Sequence, residues 1–223
     1  MPKVSKEYIA AKKKEIIDAA IRVCKSKPAY YVTIRDVIKE CGISQGGMYH
    51  YFSSIDEIFA EILNRAYGEM NFASEAEKIF DSGRQPSDII MDSLMLVGDM
   101  LDSLYDRFGK LIFELEVRYS EKSDGQKKMR EMFAVNSDAQ TIVFKVNSLI
   151  KAHIADGHFK CSLPSDYITF LPLALLEGAK RISLVSFSNP GALEKSGLLD
   201  KEHSTVRGMM KNSAEIIIKL LNT

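Results

Sequence analysis

The side chains that suggest a chemistry in this sequence lie close together, between positions 33 and 52. Gln45 carries an amide that can pair with the N6 and N7 edge of adenine in a DNA major groove. Next to it, Gly46 and Gly47 have no side chains, and each costs about 1 kcal/mol in a helix relative to alanine. Such glycines indicate that the backbone approaches a ligand closely. Groups suited to phosphate oxygens accompany them, namely Thr33, Arg35, Ser44 and Tyr49 and the first N–H groups of a helix that begins at Ser44.

Most other chemistries lack support in the sequence. It contains no Gly-x-x-x-x-Gly-Lys-Ser/Thr phosphate loop and no Cys-x-x-Cys pair. His153 and His158 are five positions apart, which differs from the i, i+4 spacing that places two metal ligands on one helix face. The three cysteines are far apart, as expected of free thiols in a reducing compartment. We therefore expect no catalytic residue, no cofactor, no metal site and a cytoplasmic location.

The flanking residues predict the helices that must position the polar groups. An apolar stripe predicts an amphipathic helix over 6–26, and Pro28 follows its end. Thr33 has the spacing of a capping box with Asp36 and therefore begins a second helix. Gly42 can adopt the left-handed conformation that ends it.

A third and a fourth helix follow directly. The third begins at a Ser cap after Ile43, which can fill the corner between the two helices, and its Met48 and Phe52 can pack inward. Ser54, with Glu57 three residues later, begins the fourth. Two short helices joined by so tight a turn have the spacing of a helix-turn-helix, whose second helix enters a major groove.

The stretch from about Ile9 to Leu63 resembles the N-terminal domain of the tetracycline-repressor-type (TetR/AcrR) transcriptional regulators. The resemblance lies in a Thr that opens the second helix, in the turn Gly42-Ile43-Ser44, and in the block Tyr49-His50-Tyr51-Phe52. It implies DNA contacts from Thr33, Ile34, Arg35, Ser44, Gln45, Gly46, Gly47, Tyr49 and His50. One position departs from the family pattern, because Ile55 stands where these regulators usually have a phosphate-binding lysine.

The rest of the chain also has helical periodicity. We predict helices over 87–106 and 108–121, divided near Gly109, and over 126–156, 165–187 with a kink at Pro172, and 204–221, with an ordered loop over 189–203. No alternating apolar run is long enough for a strand. The prediction is an all-α protein, with a three-helix, homeodomain-like helix-turn-helix domain over 1–53 and a larger helical ligand-binding and dimerisation bundle over 54–223.

The charge distribution agrees with this division. The net charge is zero, but residues 1–53 carry ten basic and five acidic side chains, and residues 54–223 carry 20 and 25. The basic end is suited to DNA and the acidic remainder is not. The longest uncharged apolar stretch, 167–176, is too short to span a membrane, which needs about 20 residues.

The larger region contains adaptable and aromatic side chains that suit a bulky apolar effector. The candidate pocket residues are Met95, Tyr105, Phe113, Met132, Phe133, Asn136 and Phe170. Ordinary core packing explains any one of them equally well. The resemblance further implies a homodimer formed by the last two long helices, with Leu171, Leu175, Ile217 and Leu221 as candidate interface residues.

These observations predict a sequence-specific DNA-binding repressor that is a homodimer on a palindromic operator and is released by a small-molecule effector. The fourth helix, 54–80, is the expected lever between the effector and the DNA. The alternative is a helical small-molecule-binding protein or bundle enzyme whose N-terminal domain no longer binds DNA, and the loss of lysine at Ile55 favours that alternative. An activator of the same family is a further possibility.

Overall fold

The computed structural model describes residues 5–68, 72–120, 138–188, 191, 195–197 and 204–223. All regular structure in these ranges is helical, which confirms the all-α prediction. The helices are α1 (Lys6–Ser26), α2 (Ile34–Cys41), α3 (Gln45–Tyr51), α4 (Ile55–Gly68), α5 (Phe72–Phe80), α6 (Pro86–Ser120), α7 (Asp138–Ala155), α8 (Ser165–Ser188) and α9 (Val206–Leu220). A 3₁₀ turn, Ala29–Tyr31, lies between α1 and α2.

The described residues form two compact units. The first unit contains residues 5–68 and 111–120, and the second contains residues 72–110 and those described from 138 to 223. Both therefore include a part of α6. The functional division after residue 53 stays a prediction, because these units are defined by packing and not by DNA binding.

The core of the first unit forms where α1 packs against the three helices that follow it. Ser5 caps α1 through the Tyr8 N–H, and the predicted apolar stripe buries Ile16, Ala20 and Val23. The apolar face of α4 is also buried, at Ile58, Phe59, Ile62 and Leu63. Burial of this apolar surface stabilises the short helices α2 and α3, which would be only marginally stable in isolation.

Helix α6 corrects one sequence prediction. The expected division near Gly109 is absent, since α6 runs unbroken from Pro86 to Ser120. Buried side chains continue on either side of the glycine, at Leu104 and Tyr105 and again at Leu111 and Ile112. Burial of these side chains outweighs the penalty of about 1 kcal/mol for one glycine in a helix.

The other helices of the second unit agree with the predictions where they are described. Helix α8 begins at the predicted residue and contains Pro172, and α9 begins after its cap, Thr205. Helix α7 ends before Gly157, whose φ is +80°. Residues 126–137 of the predicted long helix, and most of the predicted loop over 189–203, lie outside the described residues.

Helix α9 packs on α8 and is fastened to α6 at its first turn. The carboxylate of Asp102 accepts hydrogen bonds from the Val206 and Arg207 N–H groups, both at 2.9 Å. Burial raises the pKa of Asp102, although these two donors act in the opposite direction. Beside it, a Cβ on Gly98 would lie 2.4 Å from the Arg207 Cα, so this helix crossing requires glycine.

Across the described ranges, we find no helix that is both long enough and apolar enough to cross a lipid bilayer.

Candidate nucleic-acid interface

The start of α2 has the predicted capping box. The Thr33 Oγ1 accepts the Asp36 N–H, and the Asp36 carboxylate accepts the Thr33 N–H at 2.8 Å and its hydroxyl at 2.7 Å. Lys27 Nζ lies 2.8 Å from the same carboxylate. Lys27 first, and the Thr33 donors after it, lower the pKa of Asp36 to about 2. The Thr33 hydroxyl, predicted to bind phosphate, thus donates its proton within the protein.

The turn into α3 also follows the local sequence. Gly42 has a φ of +70° and ends α2, and Ser44 Oγ accepts the Gly47 N–H at 3.1 Å to cap α3. A Cβ on Gly47 would lie only 3.2 Å from that Oγ, whereas a Cβ on Gly46 would meet nothing within 4 Å. The two glycines therefore differ in role. Gly47 accommodates the cap, and Gly46 leaves open space at the start of α3.

The spacing Gly42, Ser44 and Gly46 also fits the Gly-x-Ser-x-Gly turn of serine hydrolases, which joins a strand to a helix. Here the preceding element is α2 and the Ser44 hydroxyl is a helix cap. This geometry is that of a helix-turn-helix and differs from that of a nucleophile turn.

The predicted division of α3 into a buried and an exposed face is present. Met48 and Phe52 are 0% and 1% exposed, while Tyr49 is 48% exposed. Gln45 and His50 are also exposed. The groups proposed to read or contact DNA thus lie on the open face, with Arg35 exposed, Ile34 half-buried and Gly47 half-buried beside them. Their roles at DNA stay predictions.

The basic side chains of residues 5–53 fall into two groups, those with a carboxylate partner and those without one. Four of them have a carboxylate partner at 2.6 to 2.8 Å, in the pairs Lys12–Glu15, Lys14–Asp18, Arg22–Glu40 and Lys27–Asp36. Among the described basic residues up to position 53, five have no carboxylate within 4 Å, namely Lys6, Lys13, Lys25, Arg35 and Lys39. The charge available to phosphates is therefore smaller than the count of basic residues.

The start of α4 is occupied by its own side chains. Ser54 Oγ accepts the Glu57 N–H at 3.2 Å, as predicted. The Glu57 carboxylate, however, accepts the N–H and the hydroxyl of Ser53, at 2.7 and 2.9 Å. Ile55 adds no charge here.

Sequence reasoning missed a set of contacts from the end of α6 to the turn before α2. The buried Glu114 carboxylate accepts the Ala29 N–H at 2.6 Å. Arg118 Nη1 donates to the carbonyls of Ala29, Tyr30 and Val32, at 3.0 to 3.3 Å. A Glu and an Arg four positions apart within an apolar helix are the signal that could have drawn attention to these contacts.

The same end of α6 also touches the start of α4. The Tyr119 hydroxyl donates to the Asp56 carboxylate, and an Arg118 nitrogen lies 3.7 Å from it. Burial raises the pKa of Tyr119, and the bond to Asp56 raises it further. Within the first unit, then, α6 holds both the turn before α2 and the first turn of α4.

The candidate effector residues are dispersed. Tyr105 is buried and Met95 half-buried in the second unit, Phe113 is half-buried in the first, and Phe170 is 62% exposed. Met132, Phe133 and Asn136 lie outside the described residues. A surface groove of about 450 Å³ in the second unit is lined by other residues, namely Phe80, Thr141, Phe144, Lys145, Ser148 and Leu149.

The candidate dimer residues need a correction. Ile217 and Leu221 are both 0% exposed within the single chain, since they form the face of α9 that packs inward. They have no surface that a second copy can cover. Leu171 and Leu175 are half-buried.

The described residues contain no group of three or more histidine, cysteine, aspartate or glutamate side chains that could bind a metal ion.

The sequence is similar to those of known bacterial transcriptional regulators. Residues 16–62 match the model of the family described as bacterial regulatory proteins, tetR family. The HTH-type transcriptional regulator YfiR of Bacillus subtilis (strain 168) is 27% identical over 222 residues, 98% of this chain and 95% of its own length. An HTH-type transcriptional repressor of Mycobacterium tuberculosis is 37% identical over 60 residues, 26% of this chain and 32% of its own.

A solved structure shares the fold over nearly the whole chain. The transcriptional regulator FadR from Bacillus subtilis, in complex with stearoyl-CoA, superposes with a TM-score of 0.59 at 13% identity, covering 93% of this chain and 98% of that one. At this identity the likeness concerns the fold alone.

Proposed function

We propose that this chain is a transcriptional regulator of the tetR family, whose model matches residues 16–62, and that it is a repressor that binds a palindromic operator as a homodimer and is released by a small-molecule effector. The observation that carries this proposal is α3, whose buried Met48 and Phe52 leave Gln45, Tyr49 and His50 exposed along one short, capped helix. A bacterial regulator meets its DNA in the cytoplasm, which is the compartment that we propose.

In the proposed complex α3 enters the major groove with its first turn towards the bases. Gln45 reads an adenine edge, and the open space at Gly46 permits close approach of the backbone. Tyr49, His50 and Arg35 contact the flanking phosphates. Two copies of α3 reach successive major grooves when they lie roughly 34–36 Å apart, which requires a dimer.

The outer face of α8 supports a homodimer interface in the second unit. Tyr167 and Phe170 are 69% and 62% exposed. Ala174, Gly178 and Ile182 are also exposed and continue the same face at helical spacing. Apolar groups of this size are rarely left in water along a whole helix face, and small residues at its centre let a second helix approach closely.

The neighbouring helix α9 extends this apolar face. Ile216 is 53% exposed, and Met209 and Leu220 are half-buried on the same side of the helix. This side is distinct from the buried side that holds Ile217 and Leu221. We therefore propose that the outer faces of α8 and α9, with Leu171 at their edge, form the interface in place of those two residues.

Unpaired polar atoms support an effector site inside the second unit. Ser93 Oγ, Asn147 Oδ1 and Ser183 Oγ are buried without a hydrogen-bond partner in the described structure. Each such atom costs about 1–3 kcal/mol, and a bound effector would supply partners. Met95 and Tyr105 lie in the same unit. The FadR complex makes stearoyl-CoA the first compound to test.

Binding of the whole protein to the DNA upstream of its gene tests the proposal. We expect the affinity for this duplex to exceed that for a mixed-sequence duplex by about 10³-fold or more, measured by fluorescence anisotropy at fixed salt. Addition of a small-molecule effector should lower the affinity for the upstream duplex to that for the mixed-sequence duplex. Equal, weak binding to both duplexes would overturn the proposal, and equal binding together with tight binding of stearoyl-CoA would favour the small-molecule-binding alternative.

A further inference from the structure

Lys13 differs from the two lysines beside it. Lys12 and Lys14 each contact a carboxylate of α1, Glu15 and Asp18 respectively. Lys13 has no carboxylate within 4 Å among the described residues, and its Nζ lies 5.1 Å from the centre of the Phe52 ring. A cation over an aromatic face is attracted by the ring and stays a full positive charge. The structure thus holds one uncompensated ammonium at the end of α3.

The position of Phe52 shows that the Lys13 ammonium lies where α3 leads into α4. Phe52 caps the C-terminal end of α3 and leads directly into α4, and its own ring is 1% exposed. α1 packs against both of these helices. The cation therefore lies at the junction between the proposed recognition helix and the helix that follows it.

The junction itself offers little else to an anion. A helix N-terminus attracts phosphate through free N–H groups. At the start of α4, however, the N–H of Ser53, just before the helix, is donated to Glu57, and the N–H of Glu57, in its first turn, is donated to Ser54. Asp56 and Glu57 also add two negative charges, and Ile55 adds none. Arg118 lies 3.7 Å from Asp56, but its guanidinium already donates to the carbonyls of the turn before α2. A phosphate that reaches this junction needs a cation from another element.

We propose that Lys13, on α1, supplies this cation and binds a backbone phosphate of the DNA at the α3–α4 junction. The Phe52 ring orients the side chain before DNA arrives, so little conformational freedom remains to be lost on binding. Lys12 and Lys14, engaged with their carboxylates, make no such contact. This inference rests on the proposed DNA-binding function.

The salt dependence of DNA binding tests this assignment with a matched control. Lys13→Met keeps the aliphatic cover over Phe52 and removes the charge, and Lys14→Met removes one charge from the adjacent position. The probe is a mixed-sequence duplex titrated between 50 and 200 mM salt, because phosphate contacts do not require an operator. For a dimer we expect Lys13→Met to reduce the slope of log K against log salt by about 1.8, since each phosphate contact contributes about 0.9. Lys14→Met and Lys13→Arg should keep the wild-type slope.

Two results would overturn the assignment of Lys13 alone. One is a wild-type slope in Lys13→Met, which would leave Lys13 as a cover for Phe52, and the other is an equal reduction in both Met variants. Failure of the proposed function is recognised separately, because the wild-type protein would then bind the upstream duplex and the mixed-sequence duplex equally weakly. The thermal midpoint of each variant verifies folding, and Lys13→Gln, which also removes the charge, provides the measurement if the Met variant is unfolded.

Discussion

At the scale of single residues, the local chemistry of this chain is organised around caps. Thr33, Ser44 and Ser54 each accept the N–H three residues later, and these bonds set where α2, α3 and α4 begin. All three caps were predictable from the sequence, because a cap and its partner are separated by only three positions. The surroundings of the lysines were not predictable, since Lys27–Asp36 and Lys13–Phe52 join residues from different elements.

Gln45→Ala should lower sequence preference without affecting attraction to phosphates. The amide is the proposed base-reading group, and a bidentate base contact contributes about 1–3 kcal/mol of discrimination. Affinity for the upstream duplex should therefore fall, while affinity for a mixed-sequence duplex and its salt slope stay unchanged. Competitive anisotropy with both duplexes measures this. Parallel loss on both would assign Gln45 a structural role.

Asp36 should make the stability of the first unit depend on pH. Its pKa of about 2 lies below the ordinary value of 3.8, so the ionised form is favoured by folding. The resulting stability is present above pH 4 and is lost as the pH falls from about 4 to 2. Asp36→Asn should be less stable at pH 7 by about 1 kcal/mol, because it loses the charged cap and Lys27, and should lose less stability over that acid range.

Urea unfolding at pH 7, 4 and 2.5 measures this difference. Glu40→Gln is the control, because its ion pair with Arg22 is exposed and contributes less than about 1 kcal/mol. An identical decline of wild type and Asp36→Asn between pH 4 and 2.5 would contradict the assignment.

At the scale of elements, α6 shows where sequence patterns stop being informative. Gly109 suggested two helices, but burial on both sides of it keeps one. The contacts of Glu114 and Arg118 join residues 85 to 89 positions apart in the sequence, and periodicity carries no information about such pairs. The expected lever was the fourth helix alone. In the structure the end of α6 holds both the first turn of α4 and the turn before α2.

Arg118→Met should weaken DNA binding indirectly. It leaves the carbonyls of Ala29, Tyr30 and Val32 without their donor, which should lower the free energy of unfolding by about 1–3 kcal/mol. Affinity for DNA should fall because Thr33 follows this turn directly, while the salt slope should stay constant because no phosphate contact is removed.

Chemical denaturation and a salt titration of DNA binding check both parts. Arg84→Met, which removes an exposed ion pair with Asp92 in the second unit, is the control and should leave both quantities unchanged. A reduced salt slope in Arg118→Met would instead place Arg118 at the DNA.

At the scale of the whole molecule, the chain carries two surfaces of different character. One is the polar face of α3 in the first unit, and the other is the apolar outer face of α8 and α9 in the second. The sequence predicted the two helices that carry the second surface, but its candidate interface residues on α9, Ile217 and Leu221, lie on the buried side of that helix. Ile217 and Ile216 are adjacent and equally apolar, so only packing distinguishes the buried residue from the exposed one.

Phe170→Arg should dissociate the proposed dimer without unfolding the chain. The side chain is 62% exposed in one copy, so the charge is tolerated there, but it would be buried without a partner in the dimer. Sedimentation velocity should show monomers, and operator affinity should fall because one copy of α3 is lost.

Phe144→Arg is the matched control, since Phe144 is 57% exposed on α7, outside the proposed interface. It should sediment as the wild type does. A dimeric Phe170→Arg variant would exclude the outer face of α8 as the interface.

The four carboxylate partners of the N-terminal cations also bear on how the protein finds its operator in a chromosome. Attraction to DNA of any sequence depends on the number of phosphates neutralised, and it governs how long a protein slides along the duplex before leaving it. Because Lys12, Lys14, Arg22 and Lys27 each have a carboxylate partner, we expect each encounter of the proposed repressor with unrelated DNA to be brief. We then expect its operator search to proceed mainly by repeated dissociation and three-dimensional diffusion, with few copies sequestered on non-operator sites.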